Sequence, residues 1–273
     1  MNPTRAFSAL RVLEAFHVRL LLQLADRSDG ALYLKGGVAL RLFYGSERYS
    51  EDMDFDAELF LRDRLRRTIP RLVAHPAFLA PLRPLGLERI QYMDEPAKNT
   101  DTTLRFKMGL VIGGGVPEPT KVEISFRGEH STVETPPFPA NAGSPDLAVI
   151  SDYVPPGTDW SRVLRYPRTS ALWQKIRALA YRRQVQARDV FDLHHLGSGM
   201  FGPYPYAPLR AHLDADTLRL AEARALEVTR EEFEEKVVRY LPAGRHAALL
   251  AGWDDLRMTV ACQMADIRDG SDT

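Results

Sequence analysis

The chain has 273 residues, of which 45% are hydrophobic, and it carries 36 basic and 36 acidic side chains. This length and composition predict a globular protein with a sizeable core, in one large domain or two small ones, and the zero net charge identifies no partner. No apolar run reaches the roughly 18 residues of a membrane span and the N-terminal segment lacks a signal peptide, so we expect a cytoplasmic protein. The single cysteine, Cys262, excludes an internal disulfide, and its apolar neighbours predict an inert thiol in the core.

The N-terminal half alternates between helical and strand patterns. Apolar residues at helical spacing predict a helix over 5–26, after which "ALYLK" predicts a short strand that runs into Gly36-Gly37. "VALRLFYG" predicts a helix that ends at Gly45, and "DMDFDAEL" alternates as a strand does. "LRDRLRRTIPRLVAH" predicts a basic helix disturbed at Pro70. "TTLRFKMGLVIG" and "TKVEISFRG" flank the turn "GGVPEP" and predict an antiparallel hairpin.

The C-terminal half is helical in pattern throughout. Residues 132–160 are rich in Pro, Gly and Asp, which favours an irregular connector. The helical candidates that follow are "RTSALWQKIRALAYRRQ", "ARDVFDLHHLG", "ADTLRLAEARALE", "TREEFEEKVVRYL" and "HAALLAGWDDLRMTVACQMAD". We therefore predict an α+β fold in which residues 1–150 form a mixed-sheet core and residues 160–273 form an all-helical part.

Two interpretations compete for the acidic strand. Asp52 and Asp54 share one face, roughly 6–7 Å apart along the backbone, while Met53 and Phe55 would enter the core. Two converging carboxylates suit a hard divalent cation such as Mg²⁺. The alternative is an ordinary strand with a solvated acidic face.

The diglycine turn and a second acidic position carry the same ambiguity. Gly36 and Gly37 have no side chains, so backbone N–H groups can approach a phosphate closely, although a strand-to-helix turn also uses glycine for backbone reasons alone. Glu123 in "KVEISF" becomes a third carboxylate if its strand lies beside the Asp52–Asp54 strand, and otherwise marks an exposed edge.

Two blocks resemble a known family. "KGGVALRLFYGSERYSEDMDFD" and "WQKIRALAYRRQVQARDVFDL" are similar to the AbiEii/AbiGii-type nucleotidyltransferases of the DNA polymerase β-like superfamily, and together they frame residues 31–196. The resemblance implies that the glycine turn grips the phosphates of an NTP. It also implies that Asp52, Asp54 and Glu123 hold Mg²⁺, with Mn²⁺ as a substitute. The family usually has Ser or Thr where this chain has Val38, so Ser50 or backbone amides would replace the missing hydroxyl.

The second block adds two candidate site residues. Lys175 is placed to reach a triphosphate, together with Lys35 at the glycine turn. Asp189 is either an acid that favours a helix N-terminus or, as the resemblance implies, a residue that orients Lys175 or a substrate hydroxyl.

The resemblance implies a toxin of a bacterial toxin–antitoxin or abortive-infection system. It would transfer nucleotides to the tRNA 3′ acceptor end, block translation, and be countered by a cognate antitoxin. Basic segments offer a groove for an RNA backbone. Their arginines are Arg162, Arg165, Arg168, Arg177, Arg182, Arg183 and Arg188, with Arg62, Arg64, Arg66, Arg67 and Arg71 on the first basic helix. The alternatives are transfer to a small molecule, transfer to a protein partner such as the antitoxin, and a catalytically degenerate binding module.

Overall fold

Six strands in the described part of the chain form one mixed sheet, which belongs to the first of two units. The computed structural model describes residues 3–93, 100–127, 133–135, 154, 158–198 and 202–270. The first unit comprises Met1–Gly45 and Tyr49–Tyr166. The second comprises Ser46–Arg48 and Pro167–Thr273.

The sheet places β2 between a parallel and an antiparallel neighbour. The strands are β1 (Leu32–Lys35), β2 (Met53–Ala57), β3 (Leu87–Met93), β4 (Thr103–Ile112), β5 (Glu118–Ser125) and β6 (Leu164–Arg165). Their order is β3-β4-β5-β2-β1-β6. β2 pairs antiparallel with β1 and parallel with β5, and β4 and β5 form an antiparallel hairpin. A β-sheet that buries alternate apolar residues thus brings the polar face of β2 alongside that of β5.

Helices precede and interrupt the strands of the first unit. They are α1 (Pro3–Ala25), α2 (Gly36–Phe43), α3 (Arg62–Ala74) and α4 (Pro76–Leu79), with 3₁₀ turns at Leu59–Leu61, Ala80–Leu85 and Trp160–Arg162. α2 begins at the glycine pair itself, two residues before the predicted start. α3 continues through Pro70 to Ala74.

The described part of the second unit contains helices and no strand. Its helices are α5 (Arg168–Tyr181), α6 (Ala187–Leu196), α7 (Tyr206–Arg210), α8 (Ala215–Glu227), α9 (Arg230–Lys236), α10 (His246–Ala251) and α11 (Trp253–Asp269), with 3₁₀ turns at Val238–Tyr240 and Ala243–Arg245. α5 presents Leu172, Ile176 and Leu179 to the core, all without exposed surface. The pattern predicted one helix over 246–266, but the chain breaks at Gly252 into α10 and α11.

The predicted α+β class is confirmed, with a mixed sheet followed by helices. The hairpin and all five C-terminal helical patterns are present, whereas β3, β6, α4 and α7 were not predicted. Most of the predicted connector over 132–160 lies outside the described residues.

Two smaller expectations concern Cys262 and membrane spans. The prediction of a core thiol was wrong, because Cys262 lies on an exposed face of α11. Its apolar neighbours Val260 and Ala261 are buried, and a helix turns the next residue away from the side that they occupy. None of the helices built from described residues combines the length and apolarity that crossing a membrane requires.

Candidate active site

Strand register brings the acidic residues of the first unit together with Lys35. Lys35 lies opposite Asp54 across the β1–β2 pair, and Asp54 lies opposite Glu123 across the β2–β5 pair. Asp52 immediately precedes β2. The structure therefore places the carboxylates of two neighbouring strands beside the end of β1, where the glycine turn begins.

Gly36 is required at this turn for two reasons. Its backbone is left-handed, with φ of +71°, a conformation that favours glycine. A Cβ atom at this position would also lie 2.7 Å from Oδ2 of Asp54, closer than a real contact allows. The glycine turn consequently lies directly against the Asp54 carboxylate.

The same turn opens helix α2. Lys35 is the residue before the helix and makes no side-chain hydrogen bond to the first-turn amides. First-turn N–H groups carry a partial positive charge and are a ready partner for an anionic phosphate. The local sequence thus sets a helix N-terminus that suits an anion beside a carboxylate cluster.

Cations hold most of the carboxylates in this cluster. Lys121 Nζ lies 3.0 Å from Asp52 and 3.8 Å from Glu123. Arg105 donates to Glu123 over 2.6 Å. Asp54 differs, because its side chain makes no direct hydrogen bond or ion pair with any described residue.

Lys35 is held in turn by a buried acid. Its ammonium lies 2.5 Å from Asp56, which is 4% exposed and also accepts a hydrogen bond of 2.9 Å from the Tyr166 hydroxyl. The acidic face of β2 is therefore not simply solvated, because Asp56 fixes the position of the Lys35 ammonium.

The electrostatics single out Asp54. Burial raises the pKa of Asp54, and the charges of Asp52 and Glu123 raise it further, against the opposing effect of Lys121 and Lys35. The pKa of Glu123 is lowered on balance, because the hydrogen bond from Arg105 and the nearby cations outweigh its burial. An added cation next to Asp54 would favour its ionised form.

The donor set suits a divalent cation bound together with substrate. Mg²⁺ takes oxygen ligands and is commonly held by one or two carboxylates plus substrate phosphates. Among the described residues, no three acidic, histidine or cysteine side chains are arranged to hold a metal by themselves. Arg105 pairs with Glu123 and Lys121 pairs with Asp52, so of the three carboxylates only Asp54 could bind a cation without first losing a direct partner among the described residues. Glu123 as a metal ligand stays a prediction.

Ser50 supports the approach to β2. Its hydroxyl donates to the backbone carbonyl of Asp52 over 2.8 Å, whereas Val38 is 4% exposed and supplies no polar atom. Ser50 thus shapes the Asp52 turn, and its predicted contact with nucleotide stays a prediction.

Lys175 and Asp189 meet in the second unit. Lys175 Nζ lies 3.0 Å from Asp189 and 2.6 Å from Asp192, and both carboxylates are fully buried. Arg48 donates to both oxygens of Asp192, and Arg182 lies 2.9 Å from Asp189. Arg48 and Lys175 lower the pKa of Asp192 more than burial raises it. The cluster holds three cations and two acids, so it keeps one net positive charge.

Comparison with known proteins identifies the family. A family model described as "Nucleotidyl transferase AbiEii toxin, Type IV TA system" matches residues 19–260. The chain belongs to the AbiEii family. It is a nucleotidyltransferase toxin of a type IV toxin–antitoxin system. Family membership implies an NTP substrate, generally a divalent metal, and an antitoxin partner.

The solved structure of one nucleotidyltransferase toxin shares the fold of this AbiEii chain. MenT4, a nucleotidyltransferase toxin from Mycobacterium tuberculosis H37Rv, is 15% identical with a TM-score of 0.57, covering 97% of this chain and 86% of that chain. JHP933 from Helicobacter pylori is 18% identical with a TM-score of 0.48, covering 97% and 93% respectively. No curated protein sequence matches.

Not all of the arginines predicted between residues 162 and 188 to contact RNA are available to a ligand. Arg165 is 9% exposed and pairs with Glu134, and Arg168 donates to backbone carbonyls of Leu196 and Gly202. Their cationic groups are used inside the protein. Exposed arginines of the run include Arg162, Arg177 and Arg183.

Several residues that support the carboxylate cluster were not given a role in the predictions from the sequence. Lys121 lies two residues before Glu123 on β5, so strand alternation already indicated a shared face. His17 has no such signal. It lies on α1 and its Nε2 is 2.9 Å from the Thr120 hydroxyl, which donates to the carbonyl of Glu51 next to Asp52.

Proposed function

We propose that this AbiEii toxin transfers nucleotides from an NTP to the 3′ acceptor end of tRNA in a Mg²⁺-dependent reaction and thereby blocks translation. In the reaction an acceptor hydroxyl oxygen bonds to the α-phosphorus, the bond to the departing pyrophosphate breaks, and the hydroxyl loses its proton. The observation that carries the proposal is the unpaired carboxylate of Asp54, which lies against the left-handed Gly36 turn. This places a carboxylate without a direct partner among the described residues beside a helix start that would bind phosphate.

Each group of the first unit has a proposed task. Asp52 and Asp54 would hold the divalent cation, which would supply charge neutralisation at the phosphate undergoing attack. The Gly36 and Gly37 amides would bind triphosphate oxygens, and Lys35 would add a charge that Asp56 holds in place. Positioning and charge neutralisation would provide most of the rate enhancement.

The second unit is proposed to contribute to substrate binding. Lys175 would contact the triphosphate, with Asp189 orienting it, and the 3.0 Å contact between them supports this assignment. Residues 160–273 would bind the acceptor and complete the active site. The exposed guanidinium groups of Arg177 and Arg183 supply charge for an RNA backbone.

One observation favours a second candidate, a degenerate module that binds without catalysing. Lys121 pairs with Asp52 at the position proposed for the metal, and Val38 replaces the usual hydroxyl residue. If Lys121 does not release Asp52 when substrate arrives, the metal has only Asp54.

The test is transfer of label from each of the four NTPs into total tRNA, with and without Mg²⁺ or Mn²⁺. We expect label at the tRNA 3′ end only with the divalent cation, and none from an Asp52→Asn variant. Label in a co-expressed protein antitoxin or in a small molecule would instead support those acceptors. Nucleotide binding without transfer to any of them would support the degenerate module.

A further inference from the structure

A cationic cleft lies in the first unit among α1, α3 and α4. It has a volume of about 490 Å³ and is lined by Arg19 and Arg27 on the α1 side and by Arg71 and His75 on the α3 side. Among the described residues that line it there is no aspartate or glutamate. None of its lining residues belongs to the cluster around Asp54, so the cleft is a second feature of this unit.

Within the described residues, no carboxylate pairs with the arginines that line the cleft. Arg19 donates to two backbone carbonyls of α4, at 2.7 Å each, and Arg27 donates to the carbonyl of Gln23. The Arg71 side chain makes no hydrogen bond or ion pair within the part of the chain that the structure describes. Backbone carbonyls orient a guanidinium group but carry no net charge, so three full charges face the cleft.

Two of the exposed arginines elsewhere in the same unit, Arg64 and Arg162, are paired with acids. Arg64 lies 2.8 Å from Asp29, and Arg162 lies 3.8 Å from Asp26. In a chain with 36 basic and 36 acidic residues, a cluster of unpaired arginines is a local departure from neutrality. Its charge is complementary to a polyanion.

The lining suits phosphate more than an acidic protein segment. The planar fork of arginine matches phosphate geometry, and cations on two opposing sides can follow a backbone that runs between them. Protein partners are usually anchored by exposed aromatic or aliphatic side chains. None of the exposed large hydrophobic residues in the described part of the chain lines this cleft.

We propose that the cleft among α1, α3 and α4 binds the phosphodiester backbone of the RNA acceptor. The choice of RNA as ligand rests on the function proposed above, whereas the assignment of a polyanion rests on the cleft alone. Bound here, the RNA is held by charge and shape without contacts that read its sequence.

The test is binding of a fluorescently labelled tRNA transcript over a series of KCl concentrations, without NTP or divalent cation. Arg27→Gln with Arg71→Gln removes two exposed charges from the cleft. Arg83→Gln with Arg89→Gln is the matched control, because these exposed residues lie outside the lining of the cleft in the same unit. We expect the cleft variant to bind tRNA at least about tenfold more weakly at about 0.1 M salt. The plot of log K against log[KCl] should also become less steep by about 1.5, since each lost phosphate contact removes roughly 0.7–0.9 from the magnitude of its slope.

Unchanged affinity and slope in the cleft variant, or an equal loss in the control, would overturn the proposal. A glutamate-rich peptide tested in parallel would overturn the choice of RNA if the cleft variant lost peptide binding and kept tRNA binding. Transfer is measured separately. If tRNA is labelled while its binding is unaffected by the cleft substitutions, the cleft assignment fails and the proposed function stands. If cleft substitutions weaken tRNA binding but no label enters tRNA, the cleft assignment stands and the proposed acceptor fails.

Discussion

Replacement of Gly36 by alanine isolates the contact on which the active-site proposal depends. Gly36 and Gly30 have nearly the same φ, at +71° and +72°. A Cβ at Gly30 meets nothing within 4 Å, whereas a Cβ at Gly36 meets Oδ2, Cβ and Cγ of Asp54 at 2.7, 3.3 and 3.4 Å. Gly30→Ala is therefore a control for the backbone conformation alone.

The expected magnitudes follow from these contacts. A left-handed alanine costs about 1–2 kcal/mol, partly offset by the about 0.4–1 kcal/mol that alanine gains by restricting the unfolded chain. Gly30→Ala should therefore lower the free energy of unfolding by about 1 kcal/mol. Gly36→Ala must also displace the whole Asp54 side chain, which adds about 1 kcal/mol for an off-rotamer position.

The two substitutions should separate more clearly in activity than in stability. A displacement of about 1 Å at a reacting centre can cost about 100-fold in rate, so Gly36→Ala should lose transfer at least to that extent. Gly30→Ala should transfer at the wild-type rate. Urea unfolding followed by circular dichroism measures the stability of the two variants, and labelled NTP transfer measures their activity. Equal transfer by both variants would refute the reasoning that Asp54 must stay where the glycine turn leaves it.

Three further predictions concern charge. Burial lowers the pKa of His17 to about 3. Below about pH 6.5 the unfolded chain therefore binds a proton at this histidine that the folded chain does not, so the free energy of unfolding should fall by about 2 kcal/mol between pH 7 and pH 5. Urea unfolding of the His17→Gln variant should not show this loss. Arg48→Met should lower the free energy of unfolding in urea by about 3 kcal/mol, because it removes a hydrogen-bonded cation from the buried Asp192. Arg64→Gln, at an exposed ion pair, should lower it by under about 1 kcal/mol. Equal costs for the two variants would contradict the importance of burial. Lys121→Met should tighten Mg²⁺ binding about tenfold in calorimetry by removing a competing cation, and weaker binding would show that the lysine assists the metal.

Local features of the active site could be predicted from the sequence because they depend on short-range geometry. Strand alternation put Asp52 and Asp54 on one side, and the left-handed turn at Gly36 follows from a glycine between a strand and a helix. The position of Glu123 required the parallel pairing of β5 with β2, which joins segments about 70 residues apart. Periodicity does not encode that pairing, and only the family resemblance pointed to it.

Predictions failed where tertiary contacts decide the outcome. Arg165 belongs to a basic run and was expected to face RNA, yet it is buried against Glu134. The two-residue strand that contains it is too short for any alternating pattern. The hydrogen bond that His17 makes with Thr120 joins positions 103 residues apart, and nothing near His17 in the sequence distinguishes it from a core residue.

Substitution of Asp54 by asparagine tests the central claim most directly. The carboxylate is unpaired and its pKa is raised by burial and by neighbouring acids, so a charged Asp54 destabilises the folded chain. Asp54→Asn should therefore be at least as stable as wild type in urea unfolding and should lose NTP transfer. Asp63→Asn, at an acid whose side chain is 75% exposed, should change neither quantity. Wild-type transfer by Asp54→Asn would contradict the account, because the nucleotidyltransferase reaction would then not use this carboxylate.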